Sequence, residues 1–139
     1  MDIILKTVKS DNWDFIYYLR TNKNYKNNFY TKTNFSKEEH YDYLNKHENS
    51  PNFFHWIIEV NNQNAGYIRI LNNDVSIIID EKFQSKGIGK KSLELLEKEA
   101  KKKGINKLIG RVMIENETSK KIFEGNGYKL LMYWFEKEI

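Results

Sequence analysis

The sequence predicts an α/β fold in which helices cover a twisted, mixed and mostly antiparallel sheet, in the order β α α β β β α β α β. Three observations support this prediction. The chain has 139 residues, 40% hydrophobic and 14% aromatic, which suits one hydrophobic core. Short runs rich in β-branched and aromatic residues follow one another between asparagine-rich turns. One long amphipathic helical pattern comes after them.

The first elements are a strand and two helices. Asp2 to Val8 alternates as a strand does, and Ser10 or Asp11 can cap a following helix. The stretch 21–34 is polar and aromatic without a clear period, and we expect a loop there. Ser36-Lys37-Glu38-Glu39 is a capping box, in which side chains of the first turn bond the unpaired amides at the start of a second helix.

The middle of the chain predicts a meander followed by a long helix. Phe53 to Val60, Ala65 to Leu71 and Val75 to Asp80 read as strands, and the short turns between them make two hairpins. Gly87 to Lys103 has the strongest helical pattern, with Gly104 as its stop.

The last third predicts three shorter elements. Lys107 to Met113 reads as a strand, Asn116 to Glu124 as a short helix, and Tyr128 to Lys137 as a final strand.

Composition removes several classes of function. The chain has no cysteine, which excludes disulfides, thiolate metal sites and a cysteine nucleophile and favours a cytoplasmic location. The three histidines lack metal-ligand spacing, and no window approaches the roughly 18 apolar residues of a membrane span. Basic residues mostly alternate with acidic ones despite the net charge of +4, so we expect no nucleic-acid partner.

A glycine-containing loop, residues 81–90, joins a predicted strand to the long helix. Gly87 and Gly89 let the main chain approach an anion, the helix start supplies free N–H groups, and Lys86 and Lys90 add positive charge. A Walker A motif fails here because position 84 is Gln, not Gly, and position 91 is Lys, not Ser or Thr. Spacing alone leaves a diphosphate site and an ordinary turn equally open.

Two segments carry recognisable motifs: Gln84-Ser85-Lys86-Gly87-Ile88-Gly89 fits the pattern Q/R-x-x-G-x-G/A, and Asn116 to Tyr128 is similar to N-x-x-S/A-x-x-x-Y-E-x-x-G-F. Both resemble the motifs of the GCN5-related N-acetyltransferase (GNAT) superfamily. The two motifs occur in the family's order and separation. The resemblance implies one GNAT-like acetyltransferase domain over residues 1–139.

The resemblance also implies acetyl-CoA as the acetyl donor and direct attack of a neutral amine on the thioester. The backbone of the strand before the signature would contact the pantetheine arm, the signature loop would hold the pyrophosphate, and the second motif would contact the arm again. In this chain these residues are Ile77, Ile78, Ile79, Gln84, Ser85, Lys86, Gly87, Ile88, Gly89, Lys90, Asn116, Ser119 and Phe123.

The sequence departs from the family pattern at two catalytic positions. Phe123 stands where many relatives have a tyrosine that protonates the leaving thiolate, and Arg111 stands where some have a carboxylate base. Replacement bases are Asp74, Glu59 and His40, the last because a histidine can relay a proton near pH 7. A turn residue at 74 and a helix-packing histidine at 40 are the competing interpretations.

A shorter similarity, over Leu19 to Asn22 and Phe35 to Tyr41, is to the branch that acetylates amino-sugar nucleotides in pseudaminic-acid synthesis. It implies that Tyr30, His40 and Trp56 line the acceptor side. We therefore expect a small-molecule amine acceptor, and a homodimer is compatible with this expectation. Acetylation of a protein amino terminus or lysine, and CoA binding without catalysis, remain as alternatives.

Overall fold

The computed structural model describes residues 1–22 and 34–139. Within these ranges five strands form one sheet in the order β1-β2-β3-β4-β5, antiparallel except for the last pair, β4 and β5, which is parallel. The strands are β1 Ile3–Thr7, β2 Phe53–Val60, β3 Gln63–Leu71, β4 Asp74–Ile79 and β5 Ile109–Gly110. The described helices are α1 Trp13–Thr21, α2 Lys37–His47, α3 Ile88–Lys102 and α4 Glu117–Gly125, with 3-10 turns at Ser10–Asn12 and Glu81–Phe83.

The predicted meander is confirmed, and asparagine makes both of its turns. Asn61 and Asn62 have φ values of 49° and 67°, and Asn72 and Asn73 have values of 49° and 72°. Two successive residues with positive φ form the tight turn that matches the twist of a hairpin, and asparagine tolerates this region better than most residues.

The two faces of the sheet carry separate clusters. Trp56, Ile68 and Val75 face α3 and pack with Leu93 and Leu96. The alternate residues face α1, where Ile57, Tyr67 and Ile78 pack with Ile16 and Leu19. Because side chains alternate along a strand, one step in sequence moves a residue from one cluster to the other.

Helix α3 confirms the strongest helical prediction. It follows Gly87, which has a φ of 77°, and Gly104 closes its end with a φ of 76°. Its buried stripe includes Leu93, Leu96 and Ala100, and the opposite face carries Glu–Lys ion pairs such as Glu97 with Lys101.

The carboxyl-terminal third corrects two predictions. The strand predicted over Lys107 to Met113 is reduced to two residues, and the segment from Tyr128 to Lys137 forms no strand. Tyr128 packs against the core, but the side chains from residue 129 onward are exposed, including Leu131 at 80% and Phe135 at 91%. An apolar, aromatic run has strand propensity, but a strand forms only where a neighbouring strand supplies the hydrogen-bond ladder.

Two absences within residues 1–22 and 34–139 bear on function. No helix in these ranges is long and apolar enough to cross a membrane. No group of three or more His, Cys, Asp or Glu residues in the same ranges could hold a metal ion.

Candidate active site

A cleft opens where β4 and β5 separate. The two strands pair at only two positions, Asp74 with Ile109 and Val75 with Gly110. Beyond this point the side of β4 facing β5, from Ser76 to Ile79, borders a cleft of about 580 Å³. Backbone N–H and C=O groups on a strand edge without a neighbour can bond an extended ligand as they would bond an added strand.

One end of the cleft is the loop between β4 and α3. The Gln84 side chain donates a hydrogen bond of 2.9 Å from Nε2 to the Ile79 carbonyl, which holds the loop against the end of β4. Ser85 and Gly87 have positive φ values of 62° and 77°. The backbone N–H of Lys91 bonds the Gly87 carbonyl, so the amides of residues 88–90 precede the first helical bond of α3. These amides and the positive end of the helix suit a phosphate group.

Two glycines bring α4 close to this loop and to β5. A Cβ on Gly89 would lie 2.9 Å from Cδ1 of Ile122, and a Cβ on Gly110 would lie 2.7 Å from Cε1 of Phe123. Gly89 was expected to admit an anion, and the structure adds that it lets α3 and α4 pack closely. Gly87 differs, because a Cβ there would meet no atom within 4 Å.

Helix α4 forms the opposite wall. Asn116 caps it by accepting a hydrogen bond of 3.2 Å at Oδ1 from the Ser119 amide. Phe123 is 7% exposed and its ring lies 4.8 Å from that of Tyr128, edge to face. Asn116, Ser119 and Phe123 all line the cleft.

Charged side chains meet at the other end, where β4 begins. Asp74 accepts a hydrogen bond of 3.0 Å at Oδ1 from Nε of Arg111, and its Oδ2 lies 3.7 Å from Nη2 of Arg69. Arg69 is a site residue that our sequence reasoning missed. Its signal was an arginine between two isoleucines of a predicted strand, Ile68-Arg69-Ile70, where a charge must find a partner.

The cleft gathers most of the sequence-predicted site residues, from three segments of the chain. They are Asp74, Ile77, Ile78, Ile79, Gln84, Ser85, Gly87, Ile88, Gly89, Lys90, Asn116, Ser119 and Phe123. Lys86 is exposed on the same loop and does not line the cleft. Tyr30 lies outside the described residues.

His40 lies away from the cleft, between α1 and α2. It is 2% exposed, and its Nε2 lies 3.3 Å from the Trp13 carbonyl, an arrangement in which Nε2 donates the hydrogen bond. Burial lowers the pKa of His40 to about 4, although the bond to Trp13 opposes the shift. A neutral, buried ring is the helix-packing interpretation of this residue.

Two further sequence candidates also lie elsewhere. Trp56 is 6% exposed in the cluster on the α3 face of the sheet, so it does not line the cleft as the acceptor prediction required. Glu59, on β2, pairs with Lys6 at 3.5 Å and is likewise absent from the cleft. Both lie on a predicted strand, and a buried strand face, the competing interpretation of Trp56 from the sequence, is what the structure shows for that residue.

The family of the chain is decided by a match over most of its length. A model of the acetyltransferase (GNAT) family matches residues 12–128. The chain belongs to the GNAT family. It is therefore an acetyl-CoA-dependent N-acetyltransferase, and acetyl-CoA is its acetyl donor. No curated protein matches the chain.

Solved structures share the GNAT fold over nearly the whole chain. A spermidine N-acetyltransferase from Vibrio cholerae, in complex with CoA and spermine, is similar with a TM-score of 0.81 and 20% identity, over 90% of this chain and 79% of that one. A domain from Methanocaldococcus jannaschii has a TM-score of 0.80 and 27% identity over 92% and 88%. An acetyltransferase from Clostridium acetobutylicum with acetyl-CoA has a TM-score of 0.75 and 16% identity over 99% and 96%.

Proposed function

We propose that this acetyltransferase transfers the acetyl group to a primary amine of a small molecule, and that the acceptor is an amino-sugar nucleotide. The observation that carries the proposal is that one cleft has two different ends: the loop before α3, whose backbone amides can bind an anion, and the charged side chains Arg69, Asp74 and Arg111. The loop suits the diphosphate of CoA, and the charged end is where an acceptor would bind. A cleft with walls on both sides fits a small molecule better than a protein chain, which needs an open groove.

The donor would lie along β4. The amides of residues 88–90 and the side chain of Lys90 would hold the pyrophosphate, while Lys86 would add charge at the rim. The backbone of Ile77, Ile78 and Ile79 would bond the pantetheine arm, and Asn116, Ser119 and Phe123 would close over it. The bound donor supplies an activated acetyl thioester.

Asp74 is the proposed base. An alkyl ammonium has a pKa near ~10, so the amine must lose a proton before it can attack. The Asp74 carboxylate lines the cleft at the acceptor end, where the hydrogen bond from Arg111 fixes its orientation. Phe123 cannot donate a proton, but a thiol with an ordinary pKa of roughly 8 to 9 can leave as thiolate without an acid.

The test is release of free thiol from acetyl-CoA across a panel of amines, together with calorimetric titration of CoA. We expect CoA to bind and turnover to be fastest with amino-sugar nucleotides. Faster turnover with peptide amino termini or lysines would replace the acceptor class. Binding of CoA without turnover on any amine would identify a CoA-binding module instead.

We also propose that the domain spans residues 1–139, that the protein is cytoplasmic, and that two copies associate through residues 129–139, here called the tail. The absence of cysteine supports the location.

The exposed aromatic residues of the tail support the association. Tyr133, Trp134 and Phe135 are 80%, 62% and 91% exposed. Because a buried aromatic side chain removes about 150 to 250 Å² from water, these three in two copies would bury roughly 700 to 1,200 Å². The tail's leucines and methionine bring this near the area of a stable interface.

Light scattering would measure the association directly. We expect a dimer, and a monomer when Tyr133 and Phe135 are both replaced by Ser. A wild-type protein that is monomeric at micromolar concentration would contradict it.

A further inference from the structure

Arg69 has an unusual position for an arginine. It lies on β3, paired with His55 of β2 and Ser76 of β4, and its side chain is 8% exposed. It also lines the cleft, at the end that begins with Asp74. A buried guanidinium in the wall of a binding cleft needs more partners than a surface arginine, because water does not satisfy its donors.

Its hydrogen-bonding capacity is largely unused. A guanidinium carries five N–H donors. Nη2 of Arg69 lies 3.7 Å from Asp74, whereas Nε and Nη1 are buried and have no hydrogen-bond partner within residues 1–22 and 34–139. Asp74 does not satisfy these donors, since its Oδ2 lies 3.7 Å from Nη2, beyond hydrogen-bond distance, and its Oδ1 accepts from Arg111. Buried donors of this kind are rare in folded proteins and call for an explanation.

The surroundings of Arg69 include a second buried arginine and a buried histidine. Arg20 is 9% exposed, and its pKa is lowered mainly by burial and, to a smaller extent, by the charge of Arg69. His55 beside them bonds Glu48 and the Tyr67 hydroxyl, and its pKa is lowered by burial. None of these neighbours is a hydrogen-bond acceptor for Nε or Nη1 of Arg69 within residues 1–22 and 34–139.

The position along β4 separates this group from the phosphate loop. Arg69 pairs with Ser76, and from Ser76 to Ile79 the strand advances three residues, or roughly 10 Å at ~3.3 Å per residue, before the loop begins. An anion at Arg69 is therefore a different group from the pyrophosphate at residues 88–90. It would belong to the molecule that enters from the acceptor end.

We propose that Arg69 binds an oxyanion, a phosphate or a carboxylate, carried by the acceptor amine. This inference rests on the proposed function and specifies the chemical class of its acceptor. A planar guanidinium with idle donors fits a phosphate or carboxylate oxygen, and such charged hydrogen bonds are stronger than neutral ones.

The test compares amines that differ only in the anion. O-phosphoethanolamine is paired with ethanolamine, glucosamine 6-phosphate with glucosamine, and β-alanine with β-alaninamide. We expect kcat/KM to be about 10- to 100-fold higher for the anionic member of at least one pair, from the usual strength of hydrogen bonds to charged groups. The phosphate and carboxylate pairs distinguish the two sources of the oxyanion.

Substitution of Arg69 supplies the second comparison. Arg69→Gln should reduce the anionic-to-neutral ratio to about one, Arg69→Lys should restore part of it, and CoA affinity should be unchanged in both. Lys103→Gln, which removes a positive charge near Phe54 and outside the cleft, is the matched control and should keep the wild-type ratio. A role of Arg69 in folding alone would lower both members of each pair equally and leave the ratio unchanged.

Calorimetry covers the case in which none of these amines is acetylated. O-phosphoethanolamine and β-alanine are titrated into the protein with CoA present, and binding of either to wild type but not to Arg69→Gln supports the inference. Equal kcat/KM within every pair, a ratio that survives Arg69→Gln, or the absence of heat with both ligands would each overturn it. Failure of CoA itself to bind would instead refute the proposed donor site, and titration without CoA would still decide the role of Arg69.

Discussion

Replacing Gly87 by Asp should weaken CoA binding by charge while leaving the fold intact. Gly87 precedes α3 with a φ of 77°, and a Cβ there meets no atom within 4 Å. The steric cost is therefore only that of a left-handed residue, ~1 kcal/mol, and asparagine and aspartate bear it better than most. Gly89→Asp is a poorer test, because a side chain there would also press on Ile122.

The size of the effect follows from Coulomb's law. An aspartate about 5 Å from a bound phosphate costs roughly 1 kcal/mol in bulk water and roughly 3 kcal/mol at an effective dielectric constant of about 20. The expected loss of CoA affinity is therefore about 5- to 150-fold. The loss should shrink as salt is added, since mobile ions screen the repulsion.

The assay is calorimetric titration of CoA into wild type, Gly87→Asp and Gly87→Asn. Asparagine has the shape of aspartate without its charge, so the difference between the two variants isolates the electrostatic effect. Gly104→Asp places the same charge at another glycine with positive φ, a φ of 76° at the far end of α3, and should bind CoA normally. Equal CoA affinities for Gly87→Asp and Gly87→Asn would refute the assignment of the anion site to this loop.

Three further changes test other parts of the structure. Asp74→Asn should lower kcat by about 10²- to 10⁴-fold, as expected for loss of a general base, with an unchanged dissociation constant for CoA; near-normal kcat would move the base elsewhere. Gly110→Ala should push on the Phe123 ring, lower the free energy of unfolding by about 1 to 3 kcal/mol and weaken CoA binding, and a melting temperature equal to wild type would contradict the close packing. For His40, a folded pKa of about 4 against 6.5 unfolded means that the unfolded state binds more protons between these values. The contribution of His40 to stability should therefore fall by up to about 3 kcal/mol as the pH drops from 6.5 toward 4, and His40→Ala should reduce the pH dependence in urea titrations, while His55, whose pKa is also lowered by burial, keeps the remainder. If His40→Ala lowers kcat without lowering stability, His40 acts in catalysis as the sequence suggested.

Local signals were sufficient for the sheet and for the donor half of the site. The paired asparagines predict both hairpins because few residues tolerate two successive positive φ values. Gly87 and Gly104 bracket α3 for the same conformational reason. The loop between β4 and α3 could be found because all of its anion-binding groups lie within one short segment.

The final strand shows where local signals fail. The run from Leu130 to Phe135 has the apolar and aromatic composition of a strand, yet it is exposed and is not part of the sheet that residues 1–22 and 34–139 form. Propensity describes what a segment tolerates, while a strand also requires a neighbouring edge to bond. A second copy of the chain can supply the neighbouring strand, and the residue pattern of a single chain does not show whether it does.

The acceptor half of the site depends on which residues share a face of the sheet. His55 pairs with Arg69 and Trp56 pairs with Ile68, so a shift of one residue would exchange the two faces. The similarity to the amino-sugar-nucleotide branch implies that Trp56 lies on the acceptor side, and it does not point to Arg69. The position of Asp74 shows which face Arg69 occupies. Asp74 and Ser76 are two residues apart on β4 and share a face, and Ser76 is the partner of Arg69 on β3. Once the turns of a meander are assigned, the strand register shows which residues share a face of the sheet. A buried arginine that shares a face with a cleft-lining carboxylate can therefore be identified from the sequence, and it predicts that the acceptor carries a charge.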